Sequence, residues 1–375
     1  MNKAISPELV AEVVQAYLGS ARVESCKSNQ VGHINDTLEI CVSPNQTGYQ
    51  HFIFQRINQE VFTKPVELME NIVGVTRFLG QKIREKGGDP DRESLNVVPT
   101  LAGQDYYIDS QGEFWRVYLF IEDSLCLQQA ETSEDLYQSG LVFGNFQNLL
   151  ATYPAESLHE TIPHFHDTWK RLDDFKQVLA EDPLGRAKTC QAEIDFVLEH
   201  AEIAHYMKEI LDQHLLPLRV THNDTKLNNV LFDQKTRQAI CVIDLDTIMP
   251  GLAINDYGDT IRFGASSALE DEQDLSLVQV SLWLFSAYTK GFLEGSAGQL
   301  SQAEIDHLPF GAKAMTYECG MRFLADYLEG DRYFRIARPS HNLDRARTQF
   351  KLVADMEAKD AQMREIVGKF ADQYA

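Results

Sequence analysis

The sequence has few cysteines and pairs none of them. The six cysteines lie far apart without a Cys-x-x-Cys motif, so they predict neither a zinc site nor a dense disulfide framework. No apolar run is long enough to cross a bilayer, and the N-terminus shows no signal-peptide core before a cleavage site. We therefore expect reduced thiols and a cytoplasmic protein.

Cations are scarce relative to acids. The chain carries 34 Lys and Arg against 56 Asp and Glu, which gives a formal net charge of −22. Binding to nucleic acid or to anionic lipid requires a cationic face. We therefore expect neither nucleic acid nor a membrane as a partner, and the sequence leaves the oligomeric state open.

Length and pattern together predict two lobes. A chain of 375 residues is too long for one ordinary compact core. Strand-like segments, including 97–101, dominate the first part of the chain, and helical periodicity dominates after Ile121. We predict an α+β protein with a small sheet-containing lobe over 1–121 and a larger, mainly helical lobe over 122–375. The larger lobe is expected to contain helices over 135–153, 192–215, 274–293 and 303–328, and from 344 to the C-terminus.

The most informative stretch is a polar turn between short strands, followed by a strand that ends in an acid. It reads Thr-His-Asn-Asp-Thr-Lys-Leu-Asn-Asn over 221–229 and Cys-Val-Ile-Asp-Leu-Asp-Thr over 241–247. The order His-x-Asp-x-x-x-x-Asn, with an Asp after the next strand, is that of the protein-kinase catalytic loop. Local turn preferences of Asn and Asp explain the polarity of the stretch but not this order.

These residue types suit phosphoryl transfer. That reaction needs a carboxylate to orient the acceptor hydroxyl, with metal ions spanning the phosphates of the nucleotide. Asp224 is the candidate base, and Asn229 and Asp244 offer the hard oxygen ligands that Mg²⁺ prefers. Lys226 is placed to offset charge that grows on the transferred group. We therefore expect ATP as co-substrate and Mg²⁺ as cofactor.

The segments expected to contact the nucleotide give weaker signals. The loop over 29–37 contains a single Gly, so alone it is typical of an ordinary hairpin turn. Arg56 ends the next strand-like run, where a guanidinium either suits phosphate oxygens or is simply solvated. Either Glu67 or Glu70 in the following helix can pair with Arg56, and we favour Glu70. First-turn acid enrichment is the alternative explanation.

Two further polar clusters are expected to be structural. His164 and His166 have no third ligand nearby in the sequence, so we interpret them as structural rather than metal-binding. Asp256 and Asp259 are expected to cap a helix or to support the catalytic loop by hydrogen bonding, rather than to take part in the chemistry.

Four segments carry a family resemblance. They are His-Asn-Asp-Thr-Lys-Leu-Asn-Asn-Val-Leu-Phe-Asp at 222–233, Val-Ile-Asp-Leu-Asp-Thr-Ile-Met-Pro-Gly at 242–251, Gly-His-Ile-Asn-Asp-Thr at 32–37 and Glu-Cys-Gly-Met-Arg-Phe-Leu-Ala-Asp-Tyr-Leu at 318–328. With these segments the chain resembles the aminoglycoside phosphotransferase and choline kinase superfamily. It looks most like the N-acetylhexosamine 1-kinases within that superfamily.

The resemblance implies a two-lobed, protein-kinase-like fold and a role for specific residues. The matching positions imply a phosphate-covering loop and a phosphate-binding strand end with its acidic partner: Gly32, His33, Asn35, Thr37, Arg56 and Glu70. They also imply contacts with an N-acetylhexosamine whose anomeric hydroxyl is phosphorylated: Asp224, Asp244, Arg322 and Tyr333.

Three alternatives remain open at this point. The acceptor of the same chemistry can be an aminoglycoside, choline or another amino alcohol, although Lys226 beside the base would repel a cation. Asp224 and Asp244 can instead form the carboxylate pair of a hydrolase. A catalytically silent binding protein fits least well, because Asp224, Asn229 and Asp244 occur together.

Overall fold

An antiparallel sheet forms the centre of the smaller lobe. In the computed structural model, which describes residues 5–29, 34–43 and 51–374 (only the backbone at 29), this sheet has five strands in the order β1-β2-β3-β5-β4. The strands are β1 Val23–Asn29, β2 Asp36–Val42, β3 His51–Arg56, β4 Tyr107–Ile108 and β5 Phe114–Leu119. The accompanying helices are α1 Pro7–Leu18, α2 Pro65–Glu85 and α3 Pro90–Glu93.

Helix α1 covers one face of this sheet. The Ser6 side chain accepts a hydrogen bond from the N–H of Leu9 at 3.3 Å, and Pro7 occupies the first turn, as the sequence predicts. The apolar side of α1 and the sheet form one hydrophobic core, whose members include Leu9, Val13, Val14, Tyr17, Phe52, Phe54 and Trp115.

The two faces of the sheet differ in chemistry. Strands β3 and β5 pair so that Gln55 lies opposite Arg116 and Arg56 lies opposite Trp115. Because successive side chains of a strand point to opposite faces, Gln55 and Arg116 share one face. Arg56 shares the other face with Trp115, which packs in the core under α1. The Arg116 face looks toward the larger lobe, where Arg116 contacts Asp246.

The larger lobe is mainly helical. Its strands form two small sheets in the described residues, β6-β8-β9 and β7-β10. The strands are β6 Ser124–Cys126, β7 Arg219–Thr221, β8 Val230–Asp233, β9 Ala239–Val242 and β10 Met249–Gly251. The helices are α4 Ser133–Leu149, α5 Thr168–Glu181, α6 Gln191–Glu199, α7 Ala201–Asp212, α8 Ala253–Gly264, α9 Leu282–Ser296, α10 Gln302–Glu329, α11 His341–Ala358 and α12 Asp360–Tyr374. None of the helices in the described residues is both long and apolar enough to span a bilayer.

Helix α4 is the buried helix that the sequence predicts, and it packs very closely on α9. At Gly144 an added Cβ would collide with the backbone of Phe292, so only a glycine permits this approach. The close packing fixes α4 beside the catalytic loop. There the ring of Phe143 lies 5.6 Å from that of His222, and Gln147 donates to the carbonyl oxygen of Val220 at 3.1 Å.

Two long helices predicted in the larger lobe are each divided in the structure. The helix predicted over 192–215 breaks at His200, whose ring Nδ1 hydrogen-bonds the carbonyl oxygen of Phe196 at 2.8 Å. The predicted C-terminal helix begins at His341 and is interrupted at Lys359. Both helices therefore become pairs, α6 with α7 and α11 with α12.

Other element bounds also differ from the predictions. The helix predicted over 274–293 begins only at Leu282, because the Ser281 side chain caps it there. The segment 97–101 is not a strand. The helix predicted over 303–328 is present as α10, and the overall α+β class with a small sheet lobe and a larger helical lobe is confirmed.

Candidate active site

The predicted catalytic residues lie at the mouth of a hairpin. Strand β7 leads into the loop 222–229, and β8 and β9 form the two arms that follow. The N–H of Ile243 donates to the carbonyl oxygen of Asn229 at 2.9 Å and closes the mouth. Asp224 and Asp244 therefore lie at the same end of the hairpin.

The structure brings Asp224, Lys226 and Asn229 into direct contact. The Nδ2 of Asn229 donates to the carbonyl oxygen of Asp224 at 2.7 Å and to its Oδ2 at 3.1 Å. The Nζ of Lys226 lies 2.6 Å from Oδ1 of Asp224. Both carboxylate oxygens of the candidate base are thus held by predicted neighbours. This agrees with the order of residues in the motif.

Lys226 stays protonated in this arrangement. Burial works against its charge, but the carboxylates of Asp224 and Asp259 outweigh burial and raise the pKa of Lys226. A fixed ammonium group beside the candidate base can stabilise negative charge on a transferred group.

Asp256 of α8 fixes the catalytic loop by accepting hydrogen bonds from its backbone. Its Oδ2 accepts from the N–H of His222 at 2.9 Å, and its Oδ1 accepts from the N–H of Asn223 at 2.7 Å. Gln147 of α4 donates to the same carboxylate at 3.0 Å. Asp256 is buried, so these donors replace water. Hydrogen bonding by Asp256 to the catalytic loop is what the sequence predicts.

His222 supports the loop through both of its ring nitrogens. Its Nδ1 accepts from the N–H of Asp224 at 3.3 Å, so the ring proton lies on Nε2 and donates to the carbonyl oxygen of Ile243 at 2.8 Å. His222 therefore connects the base to the strand that ends in Asp244. Both of these contacts are with backbone groups.

Asp244 has an exposed carboxylate near the contact between the lobes. Its backbone has a positive φ of 61°, which turns the side chain out of β9. The side chain is exposed to solvent, yet protein atoms crowd around it. This crowding, with the charges of Asp246 and Asp224, raises the pKa of Asp244 to about 6. No described residue donates a hydrogen bond to this carboxylate, and the charges of His222 and Arg116 only partly offset the causes that raise its pKa.

The donors around Asp244 fit a magnesium ion that takes only part of its ligands from protein. Within the described residues no group of three or more His, Cys, Asp or Glu is placed to hold a metal. Mg²⁺ is commonly bound by one or two carboxylates together with water and nucleotide phosphates. The open carboxylate of Asp244 and the amide oxygen of Asn229 match that donor set.

A buried contact joins the lobes beside Asp244. Arg116 of β5 forms an ion pair with Asp246, and its Nε and Nη2 also donate to the Oε1 of Gln55 at 3.0 and 2.8 Å. Asn35 donates from Nδ2 to Oδ2 of Asp246 at 2.5 Å. The sequence predictions missed Arg116 and Asp246. A single charged residue within the otherwise apolar and aromatic β5 and a second Asp two residues after Asp244 were the available signals.

The residues predicted to cover the phosphates are partly described. Gly32 and His33 lie outside the described residues. Asn35 contacts Asp246, as above, and accepts from the N–H of Asn58 at 2.9 Å. Thr37 accepts from Nε2 of Gln55 at 3.1 Å, so it belongs to the same face of the sheet as Arg116.

The predicted pairing of Arg56 with Glu70 is wrong. Arg56 pairs with Asp36 across β2 and β3 at 2.6 Å. Glu70 lies 2.7 Å from His159, and Glu67 lies 3.0 Å from Lys64. The predicted contact of Arg56 with phosphate stays a prediction. The position of Arg56 on the α1 face of the sheet does not favour this contact.

Arg322 and Tyr333, the predicted sugar contacts, lie together at one cavity of about 500 Å³ between α5 and α10. The guanidinium carbon of Arg322 is 5.7 Å from the centre of the Tyr333 ring. His166 connects this region to the catalytic loop, because its ring lies 2.9 Å from Glu318 of α10 and 3.0 Å from the carbonyl oxygen of Asn223.

The fold is similar to several solved phosphotransferase structures at low identity. A microcompartment-associated aminopropanol kinase is 15% identical with a TM-score of 0.60, covering 96% of this chain and 98% of that one. A choline kinase from Cryptosporidium parvum Iowa II is 13% identical with a TM-score of 0.58, covering 97% and 99%. A spectinomycin phosphotransferase in complex with ADP and spectinomycin is 12% identical with a TM-score of 0.58, covering 98% and 99%.

A family model supplies the classification that these similarities in fold do not. The model described as the phosphotransferase enzyme family, APH, matches residues 92–290, just over half of the 375-residue chain. The matched segment contains the hairpin with Asp224, Asn229 and Asp244. The protein therefore belongs to the APH phosphotransferase enzyme family and is a small-molecule kinase.

Proposed function

We propose that the protein transfers the γ-phosphoryl group of ATP to the anomeric hydroxyl of an N-acetylhexosamine. One observation supports this chemistry. Both carboxylate oxygens of Asp224 are bound by neighbouring side chains, and the nearby carboxylate of Asp244 accepts no hydrogen bond from the described residues. The sugar rests on the resemblance of the segments around Lys226 and Arg322 to the N-acetylhexosamine 1-kinases.

Asp224 is the base in this proposal. It orients the sugar hydroxyl and accepts its proton while the sugar oxygen bonds to the γ-phosphorus and the bond to the β-phosphate oxygen breaks, releasing ADP. An anomeric hydroxyl is more acidic than an ordinary alcohol, which reduces the demand on the base. Lys226 offsets charge on the transferred group, since its own pKa is raised and it stays cationic.

Asn229 and Asp244 hold Mg²⁺ in this proposal. When bound there, the ion would supply positive charge that neutralises the phosphates of the nucleotide. The lack of any hydrogen-bond donor to Asp244 within the described residues supports this assignment. The pKa of Asp244 is raised first by burial and then by the negative charges of Asp246 and Asp224, which a cation would compensate.

The nucleotide lies under the small lobe. Gly32, His33, Asn35 and Thr37 are proposed to cover its phosphates. Of the two arginines in this region, Arg116 is on the face that looks toward Asp246, and Arg56 is on the opposite face. We therefore propose Arg116 as the cation that orders the metal-binding segment.

The acceptor lies between the hairpin and α10. Arg322 and Tyr333 are proposed to contact the sugar, together with Asp224 and Asp244. A cationic acceptor such as choline or an aminoglycoside is disfavoured by Lys226 and Arg322, which would repel it.

The test is an acceptor screen that measures ADP release with ATP and Mg²⁺. N-acetylglucosamine, N-acetylgalactosamine, choline, 1-amino-2-propanol and an aminoglycoside are compared, and phosphorus NMR identifies the oxygen modified. We expect turnover of the N-acetylhexosamines and a product phosphorylated at the anomeric oxygen. Turnover of the amines alone would overturn the sugar assignment, and product formation without ATP would indicate a hydrolase.

A variant pair tests the base. Asp224→Asn should lower kcat by about 100-fold or more while nucleotide binding is retained. Asp195→Asn on the exposed surface of α6 is the matched control and should leave kcat unchanged. Full activity of Asp224→Asn would contradict the assigned role.

A further inference from the structure

The cavity between α5 and α10 extends into a groove that has a distinct inner end. At that end Thr168 donates to Oε2 of Glu318 at 2.6 Å, next to the link from His166 to the catalytic loop. At the outer end Glu181 of α5 and Glu329 of α10 line the same cavity. The two helices therefore run in the same direction along the groove, which we call the acceptor groove.

Two arginines face each other near the inner end. Arg171 is three residues beyond Thr168, and Arg322 is four residues beyond Glu318, so each lies about 5 to 6 Å along its helix from the inner contact. Both reach the same residue. Arg171 donates from Nη2 to the carbonyl oxygen of Phe165 at 3.2 Å, and the guanidinium of Arg322 lies 5.8 Å from the Phe165 ring.

These two guanidinium groups have unused donors. Within the described residues Arg322 makes no hydrogen bond and no ion pair, and it lies over the rings of Phe165, Tyr333 and Phe334 at 5.5 to 5.8 Å. The Nε of Arg171 is buried without a hydrogen-bond partner. A buried unpaired donor is costly, so this arrangement is typical of a site that a ligand completes.

The acids near the two arginines are already engaged. Asp174 pairs with Lys170, and Asp326 accepts from the backbone N–H groups of residues 332, 333 and 334 at 2.8 to 2.9 Å. Glu318 is held by His166 and Thr168. None of them pairs with either guanidinium.

The remaining acids of the groove lie farther along it than the two arginines. Glu181 is 10 residues beyond Arg171 and Glu329 is seven residues beyond Arg322, which is about 15 and 10 Å along the helices. Burial and the neighbouring charge of Arg322 lower the pKa of Arg171, and they outweigh the opposing charges of Glu318 and Asp174.

We infer that Arg171 and Arg322 form a subsite for a carboxylate carried by the sugar acceptor, so that the preferred substrate is an acidic N-acetylhexosamine. This inference rests on the proposed function and adds the charge of the substrate to it. Planar guanidinium groups match the two oxygens of a carboxylate and bind it through charge-assisted hydrogen bonds. The same pair disfavours an amine at that position.

The test compares three acceptors that share one sugar ring. They are N-acetylglucosamine, its 3-O-lactyl ether N-acetylmuramic acid, and glucosamine, assayed with ATP and Mg²⁺. We expect kcat/KM for the lactyl ether to exceed that for the neutral sugar by about tenfold or more, because hydrogen bonds to charged groups are stronger than neutral ones. Glucosamine should be the poorest of the three.

Variants separate a specific role from a structural one. Arg171→Gln should lower kcat/KM for the lactyl ether by about tenfold while the neutral sugar changes by less than about threefold. Arg171→Lys should restore part of the preference, and thermal unfolding should show that both variants fold. The control is Arg364→Gln on exposed α12, which should change neither acceptor.

Each contrary outcome has a distinct meaning. Equal turnover of the neutral and acidic sugars, or an equal loss for all acceptors in Arg171→Gln, would overturn the carboxylate subsite and leave the proposed function intact. Turnover of choline or 1-amino-2-propanol with no sugar accepted would overturn both.

Discussion

The catalytic loop and the acceptor groove differ in how far the protein satisfies its own polar groups. At the loop, Asp224 and the supporting Asp256 of α8 have their oxygens bound by lysine, amide and backbone donors. In the groove, the Nε of Arg171 is buried without a hydrogen-bond partner, and Arg322 makes no hydrogen bond within the described residues. This difference implies that the phosphoryl-transfer geometry is built before the acceptor binds, whereas the acceptor subsite is completed by its ligand.

The largest expected effect follows from breaking the support of the loop. Asp256→Ala leaves the buried N–H groups of His222 and Asn223 without an acceptor, which should lower the free energy of unfolding by about 2 to 4 kcal/mol. The turnover of every acceptor should fall by about 100-fold, since the base loses its position. Urea unfolding and kcat measure both effects.

A substitution in the acceptor groove should have little effect on the free energy of unfolding. Arg322→Met removes a charge that has no ion pair within the described residues, so the free energy of unfolding should stay within about 1 kcal/mol of wild type. A loss of stability in Arg322→Met as large as that in Asp256→Ala would remove the contrast between the two regions.

The next effect concerns the contact between the lobes. Arg116→Gln leaves Asp246 without its buried cation, which should raise the KM for ATP by about tenfold and lower stability. Arg56→Gln should change the KM for ATP by less than about threefold, because Arg56 lies on the α1 face of the sheet. ATP titrations of both variants decide between the two arginines, and a larger effect of Arg56→Gln would restore the sequence-based assignment.

A smaller effect is expected from Asp244 in protein freed of metal with a chelator. Its pKa of about 6 in the folded protein is above the ordinary value near 4, so the charged form destabilises the folded state. The penalty is present above about pH 6 and disappears as the pH falls toward 4. Asp244→Asn should therefore raise the unfolding temperature at pH 7.5 more than at pH 4.5.

Addition of Mg²⁺ with nucleotide checks the same group. It should stabilise the wild-type protein and fail to stabilise Asp244→Asn, because the variant lacks the anionic ligand. Equal stabilisation of the two proteins would exclude Asp244 as a ligand of the metal.

The sequence predicts the chemistry of the site better than the contacts around it. Asp224, Lys226 and Asn229 are close in the chain, so their order is enough to predict that they meet. Arg116 and Asp246 are far apart in the chain, and only the pairing of β3 with β5 shows which arginine faces the cleft. The partner of Glu70 was predicted wrongly for the same reason, since His159 reaches it from a distant segment.

The smallest effect is expected at Glu70, and it tests how α2 is held. The ion pair of Glu70 with His159 is exposed, and exposed pairs contribute little. Asn71 is buried instead, and its side chain donates to the carbonyl oxygens of His159 and Ile248 at 2.9 and 3.0 Å. Glu70→Gln should therefore leave kcat/KM within about twofold and the free energy of unfolding within about 0.5 kcal/mol of wild type.

Asn71→Ala should lower the free energy of unfolding by about 1 to 3 kcal/mol, because two buried carbonyl groups lose their donor. If Glu70→Gln proves the more damaging of the two, α2 is positioned by charge, and a link from Glu70 to the nucleotide-binding side of the cleft has to be sought.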